Sequence, residues 1–112
     1  MVRQLESKIT DKCIAYLEGL RERGYKIYYE RRTGEGGFGY KKGIPDMWIV
    51  IDGVHIECEL KTPWGERTPL QEKFALYFKK LGIEYFWPKS FSEFKKYIDK
   101  RLKIDSGETF WE

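Results

Sequence analysis

The chain has 112 residues, with 21 basic and 18 acidic side chains giving a formal net charge of +3. That length suits one domain, residues 1–112, with a single core, and an apolar content of 41% with 17% aromatics excludes a disordered chain. Two cysteines and one histidine exclude a disulfide scaffold, a four-cysteine zinc site and a multi-histidine metal centre, while so mild a charge does not by itself name a nucleic-acid partner.

The opening residues are charged, and no apolar run approaches the length of a membrane span. The expectation is therefore a reduced, cytoplasmic setting and no membrane partner. Charge is uneven along the chain. Residues 1–45 hold 10 basic and 6 acidic groups, whereas residues 46–86 hold 5 and 7, so an acidic centre follows a basic start.

In chain order, Leu5, Ile9, Cys13, Tyr16, Leu17 and Leu20 recur at helical spacing and predict a helix over about 3–23, ended by Gly24. Tyr25–Glu30 reads as a strand. Residues 31–43 carry five glycines and are expected to be a loop. Asp46–Ile51 and Val54–Lys61 are strand-like runs around Asp52-Gly53, the pairing that favours a type I′ hairpin turn. Thr68-Pro69-Leu70-Gln71 opens a helix with a capping Thr, Pro at the first position and Gln three after the cap. Leu70, Phe74, Phe78 and Leu81 are expected to pack as its core stripe, with Gly82 as terminator. Ile83–Trp87 reads as a strand. Ser90 and Glu93 form a second capping box for a helix to about Leu102, lined by Phe91, Phe94, Ile98 and Leu102. The tail from Ile104 has no clear pattern, although Phe110-Trp111 offers apolar surface for a dimer contact. The fold class expected is α/β, with helices on a small mixed sheet.

The two-residue turn fixes a register in which Ile51 faces Val54, Met47 faces Cys58 and Asp46 faces Glu59. Alternation puts Met47, Ile49, Ile51, Val54, Ile56, Cys58 and Leu60 on an apolar face. Asp46, Trp48, Val50, His55, Glu57, Glu59 and Lys61 share the other. Two carboxylates opposed across a ladder repel each other. A hard divalent cation such as Mg²⁺ or Mn²⁺ offsets that repulsion, and Lys61 stands ready to neutralise charge on a phosphoryl group or to orient a water. The bland alternative is a solvated hairpin face on which Lys61 offsets Glu57 and Glu59. His55 and Cys58 fall on opposite faces, which argues against zinc. Gly34–Gly39 fits G-x-G-x-x-G, but a strand follows it where a dinucleotide site needs a helix. With Arg31, Arg32, Lys41 and Lys42 around it, the loop is better suited to a nucleic-acid backbone, or is simply solvated.

Gly43-Ile44-Pro45-Asp46, the hairpin, and Glu59-Leu60-Lys61 resemble the PD-(D/E)xK nuclease signature. With Gln71 on the following helix and the Leu81-Gly82-Ile83 and Ser90–Tyr97 segments, the chain is similar to the VRR-NUC branch over about residues 3–100. The resemblance implies a restriction-endonuclease-like αβββαβ core with an extra C-terminal helix, and metal-dependent hydrolysis of DNA phosphodiesters. Small stand-alone members are similar to Holliday-junction resolvases, occur in phages and act as dimers. By position, Asp46, Glu59 and the Cys58 carbonyl match the ligands for Mg²⁺ or Mn²⁺, and Lys61 the catalytic lysine. Glu6 matches a helix-borne glutamate that approaches the metal, and Gln71 a glutamine that orients lysine or substrate. Glu57 is an extra acid with no counterpart in that pattern. Competing readings are a non-catalytic nucleic-acid-binding module and an accessory subunit of a nuclease.

Overall fold

A computed structural model describes residues 2–32, 44–61 and 64–104, with side chains from Lys8 onward. Seven elements follow in order: α1 (Val2–Glu22), β1 (Ile27–Arg31), β2 (Met47–Ile51), β3 (Val54–Cys58), α2 (Pro69–Lys80), β4 (Glu84–Phe86) and α3 (Phe91–Leu102). The strands form one sheet in the order β1-β2-β3-β4. The first three are antiparallel neighbours, and β4 lies parallel to β3 after the α2 crossover. This is the expected αβββαβ core with a C-terminal helix. The loop expected over 31–43 and the tail lie largely outside the described residues, and with them Lys41, Lys42 and Phe110-Trp111.

The hairpin has the expected register, Met47 opposite Cys58 and Ile51 opposite Val54. Asp52 and Gly53 both take positive φ, 50° and 77°, as a type I′ turn requires. The ladder is shorter than expected, because β3 ends at Cys58 rather than Lys61. Beyond it the chain still runs beside the edge strand: Glu59 N donates to Phe86 O at 2.9 Å and Lys61 N to Pro88 O at 3.1 Å. Asp46 precedes β2, and its carbonyl accepts from Arg32 N at 2.7 Å, so β1 and β2 stay paired up to the carboxylate.

One face of the sheet carries the core. Met47, Ile49, Ile51, Ile56, Cys58 and Leu60 are buried there against Ile9, Cys13, Leu17 and Leu20 of α1 and Phe94 and Ile98 of α3. Val54, expected on this face, is exposed because it stands beside the turn, beyond the covering helices. Asp99 is buried inside this layer, where the sequence pattern gives no warning of a carboxylate. It accepts from the Tyr16 hydroxyl and from Lys95 Nζ at 3.1 Å. Burial and that neighbouring carboxylate push the Tyr16 hydroxyl well above its ordinary pKa.

Two expectations about helices need correction. The stripe of α2 is not core: no residue of that helix is buried, and Leu70 is exposed, as is Leu81 just past its end. The helix lies along the short edge strand, with Phe78 stacked on Tyr85, and among the described residues no second layer covers it. The box at Ser90 is half formed. Ser90 Oγ accepts from Glu93 N at 3.1 Å, but the Glu93 carboxylate turns back to Lys89 N at 3.4 Å instead of to Ser90.

Candidate active site

The second face of the sheet is polar yet not simply solvated. Glu57 and Glu59 are 3% and 2% exposed, whereas Asp46 is open to solvent. A buried carboxylate needs partners. Glu59 Oε2 accepts from Gln71 Nε2 at 2.7 Å and lies 3.6 Å from Lys61 Nζ. Asp46 Oδ2 accepts from Leu60 N at 2.9 Å, so the backbone between Glu59 and Lys61 anchors the carboxylate across the hairpin. Asp46, Glu59, Lys61 and Gln71 are thereby linked across three segments: the residue before β2, the chain just after β3 and the first turn of α2. Cys58, next to Glu59, has its thiol buried in the core, and desolvation pushes the thiol well above its ordinary pKa. Its side chain is thus out of play on the polar face.

Gln71 serves two purposes at once. Its Oε1 accepts from Thr68 N at 2.8 Å while its own N–H donates to Thr68 Oγ1 at 3.2 Å, which closes the capping box. The amide nitrogen left over reaches Glu59. The start of α2 is therefore locked to Glu59, and Pro69 after the cap costs nothing because an N–H at that position has no helical partner anyway.

Glu57 belongs to a separate arrangement. Arg32 donates Nη1 to Glu57 Oε1 at 2.5 Å and Nη2 to Oε2 at 3.0 Å, a two-pronged pair. The same Nη1 reaches Pro45 O at 3.1 Å, the carbonyl just before Asp46. His55 Nε2 lies 2.5 Å from Glu57 Oε2, and its ring stacks on Trp48 at 5.2 Å. Arg32, expected near a nucleic-acid backbone, has its guanidinium on Glu57 and braces the segment leading into Asp46. Arg31 is exposed on β1. Glu6 lies on α1, and its side chain is outside the described residues.

Asp46 and Glu59 supply hard carboxylate oxygens to this part of the chain. Among the described residues no group of three or more His, Cys, Asp or Glu side chains could hold a metal. That argues against a closed zinc cage. Mg²⁺ and Mn²⁺ take one or two carboxylates and complete their shell with water and substrate oxygens.

Sequence reasoning missed the residues bordering this face on β4. Trp87 follows Phe86, whose carbonyl bonds Glu59 N. Arg67 lies over the Trp87 ring at 4.4 Å, and Lys89 Nζ over it at 4.9 Å. Glu57 pairs with Tyr85 in the β3–β4 register, so odd-numbered positions there face the acidic side. The signal was available in Trp87-Pro88-Lys89, but it reads as a strand stop until β4 is known to abut Glu59.

The element order, the sheet and the polar face together define a restriction-endonuclease-like α/β fold. Among solved structures, one described as a VRR_NUC domain matches with a TM-score of 0.66 at 23% identity, covering 84% of this chain and 94% of that one. At that identity the likeness establishes the fold. No protein-family model matches the chain, and no curated protein does.

Proposed function

We propose that the chain is a metal-dependent DNA endonuclease that hydrolyses phosphodiester bonds, with branched DNA such as a four-way junction as its substrate. The observation that carries this is the linkage of Asp46, Glu59, Lys61 and Gln71 on one sheet face. The solved VRR_NUC domain with the same fold supports it. A homodimer would present two such sites to two strands.

In this reading Asp46, Glu59 and the Cys58 carbonyl hold Mg²⁺ or Mn²⁺, with Glu6 a further ligand from α1. The bound cation supplies charge relief on the phosphoryl oxygens and a water of lowered pKa. The chain's own residues do the rest. The Leu60 N–H fixes the Asp46 carboxylate, and the Gln71 amide fixes Glu59, so the ligands need little rearrangement. Lys61, mostly shielded and close to Glu59, contacts the attacking water and a phosphoryl oxygen, where a positioned cation is worth most.

Cleavage of labelled four-way junction, flap and duplex DNA in Mg²⁺ or Mn²⁺ tests this. Wild type is expected to cut, and Asp46→Asn to lose cutting. Lys61→Ala should fall by about 10²–10³ in rate, the loss seen when one preorganised charge-stabilising group is removed. Full activity in Lys61→Ala would overturn the assignment. Salt-sensitive binding with no cutting in either metal would place the chain among non-catalytic binding modules.

A further inference from the structure

Several cations around the sheet are tied to carboxylates. Arg32 is tied to Glu57, Arg101 to Glu84 and Lys95 to Asp99. Among the described residues, Arg67 and Lys89 have no acidic partner, and both lie over the Trp87 indole. Arg67 also lies 5.7 Å from the centre of the Tyr85 ring. Arg67 Nε, Trp87 Nε1 and the Tyr85 hydroxyl are buried in one cluster, with the Arg67 guanidinium beside that hydroxyl. Rings and a hydroxyl leave the charge of these two cations without a counterion, and an anionic acceptor from outside would supply one.

The location of this cluster gives that acceptor a chemistry. Glu59 N bonds Phe86 O and Lys61 N bonds Pro88 O, so the chain from Trp87 to Lys89 runs alongside Glu59-Leu60-Lys61. Arg67 is the residue before the Thr68 cap, whose box holds Gln71 on Glu59. The Arg67–Trp87–Lys89 strip therefore continues the acidic pair along the sheet toward α2. Cation–π contact with the indole restrains two long side chains and lowers the entropy lost when they meet an anion.

We propose that Arg67, Trp87 and Lys89 form a phosphate-binding strip that grips the DNA backbone next to the bond being cut. This rests on the nuclease reading above and adds the surface that would seat its substrate. Arg67 takes one phosphate through the Nη groups of its fork, and Lys89 takes a neighbouring phosphate as a point charge. Trp87 is the platform that holds both cations toward the backbone. Contacts of this kind position DNA without reading its sequence.

The test is binding without cleavage, in buffer with EDTA. Labelled duplex and four-way junction are titrated with the full chain by fluorescence anisotropy, over about 50 to 200 mM salt. Arg67→Ala and Lys89→Ala are each expected to weaken binding several-fold and to lower the slope of log affinity against log salt by about one. Arg67→Lys should restore the slope while recovering only part of the affinity. Lys96→Ala removes a charge from an exposed position on α3 and should leave the slope unchanged. Melting temperatures close to wild type certify the folds. Wild-type slopes in both alanine variants would overturn the strip, as would failure of the wild type to bind DNA. Loss of slope in those variants, in a chain that never cuts in Mn²⁺, would keep the strip and remove the nuclease reading.

Discussion

Helices α2 and α3 are both twelve residues long, both begin after a hydroxyl cap and both carry an apolar stripe. They end in different surroundings. Helix α3 buries Phe94, Ile98 and Asp99, whereas α2 buries nothing and leaves Leu70, Leu76 and Tyr77 exposed. Each sends one polar group inward. Asp99 of α3 holds the Tyr16 hydroxyl of α1, and Gln71 of α2 holds Glu59. The stripe thus states that a helix has an apolar side, but the layer it meets decides what that side does. α3 closes the core together with α1. α2 rides the edge strand and spends its first turn on the acidic pair.

The sharpest way to break the comparison is to remove one phenylalanine from each helix. Phe94 is fully buried, so Phe94→Ala should cost about 3–5 kcal/mol, the usual range for a large aromatic lost from a core. Phe74→Ala, on a helix with no buried residue, should cost well under that, about 1 kcal/mol or less. Urea unfolding of both variants checks this. Equal losses would mean that α2 is covered by something beyond the described residues. A smaller effect is expected from Asp99→Ala, about 1–3 kcal/mol, because it leaves the Tyr16 hydroxyl without its acceptor inside the core. Its Mn²⁺ titration should match wild type, since Asp99 lies on the far side of the sheet from Glu59.

The same contrast explains what was legible in the sequence. The hairpin register was readable because Asp52-Gly53 admits one turn and the pleat has a period of two, so the positions of Asp46 and Glu59 followed. The Thr68–Gln71 box was readable because a cap is local. Asp99 was not, because its partner Tyr16 lies 83 residues away and the α3 pattern reads equally well with that carboxylate in water. The Arg32–Glu57 pair was hidden for a similar reason. Alternation places Glu57 on the polar face, but only the approach of the end of β1 shows which cation meets it. Trp87 and its two cations needed the β3–β4 pairing, a parallel contact that no turn announces.

A small expected change in stability is also the most discriminating, because it separates the two tasks of Gln71. Thr68→Ala removes the hydroxyl that accepts Gln71 N and should cost about 1 kcal/mol, the usual value of a cap. Gln71→Ala removes the reciprocal acceptor of Thr68 N, a comparable loss at an exposed helix end. It also strips Glu59 of its amide donor. If the capping box were all that Gln71 does, the two variants would bind Mn²⁺ alike. With Glu59 oriented by the amide, Gln71→Ala should lose about 10–100-fold in Mn²⁺ affinity, the range for groups that orient a ligand, while Thr68→Ala keeps most of it. Calorimetric titration with Mn²⁺ reads the difference directly. Equal affinities at matched stability would reduce Gln71 to a helix cap and leave Glu59 to be held by Lys61 and its own backbone.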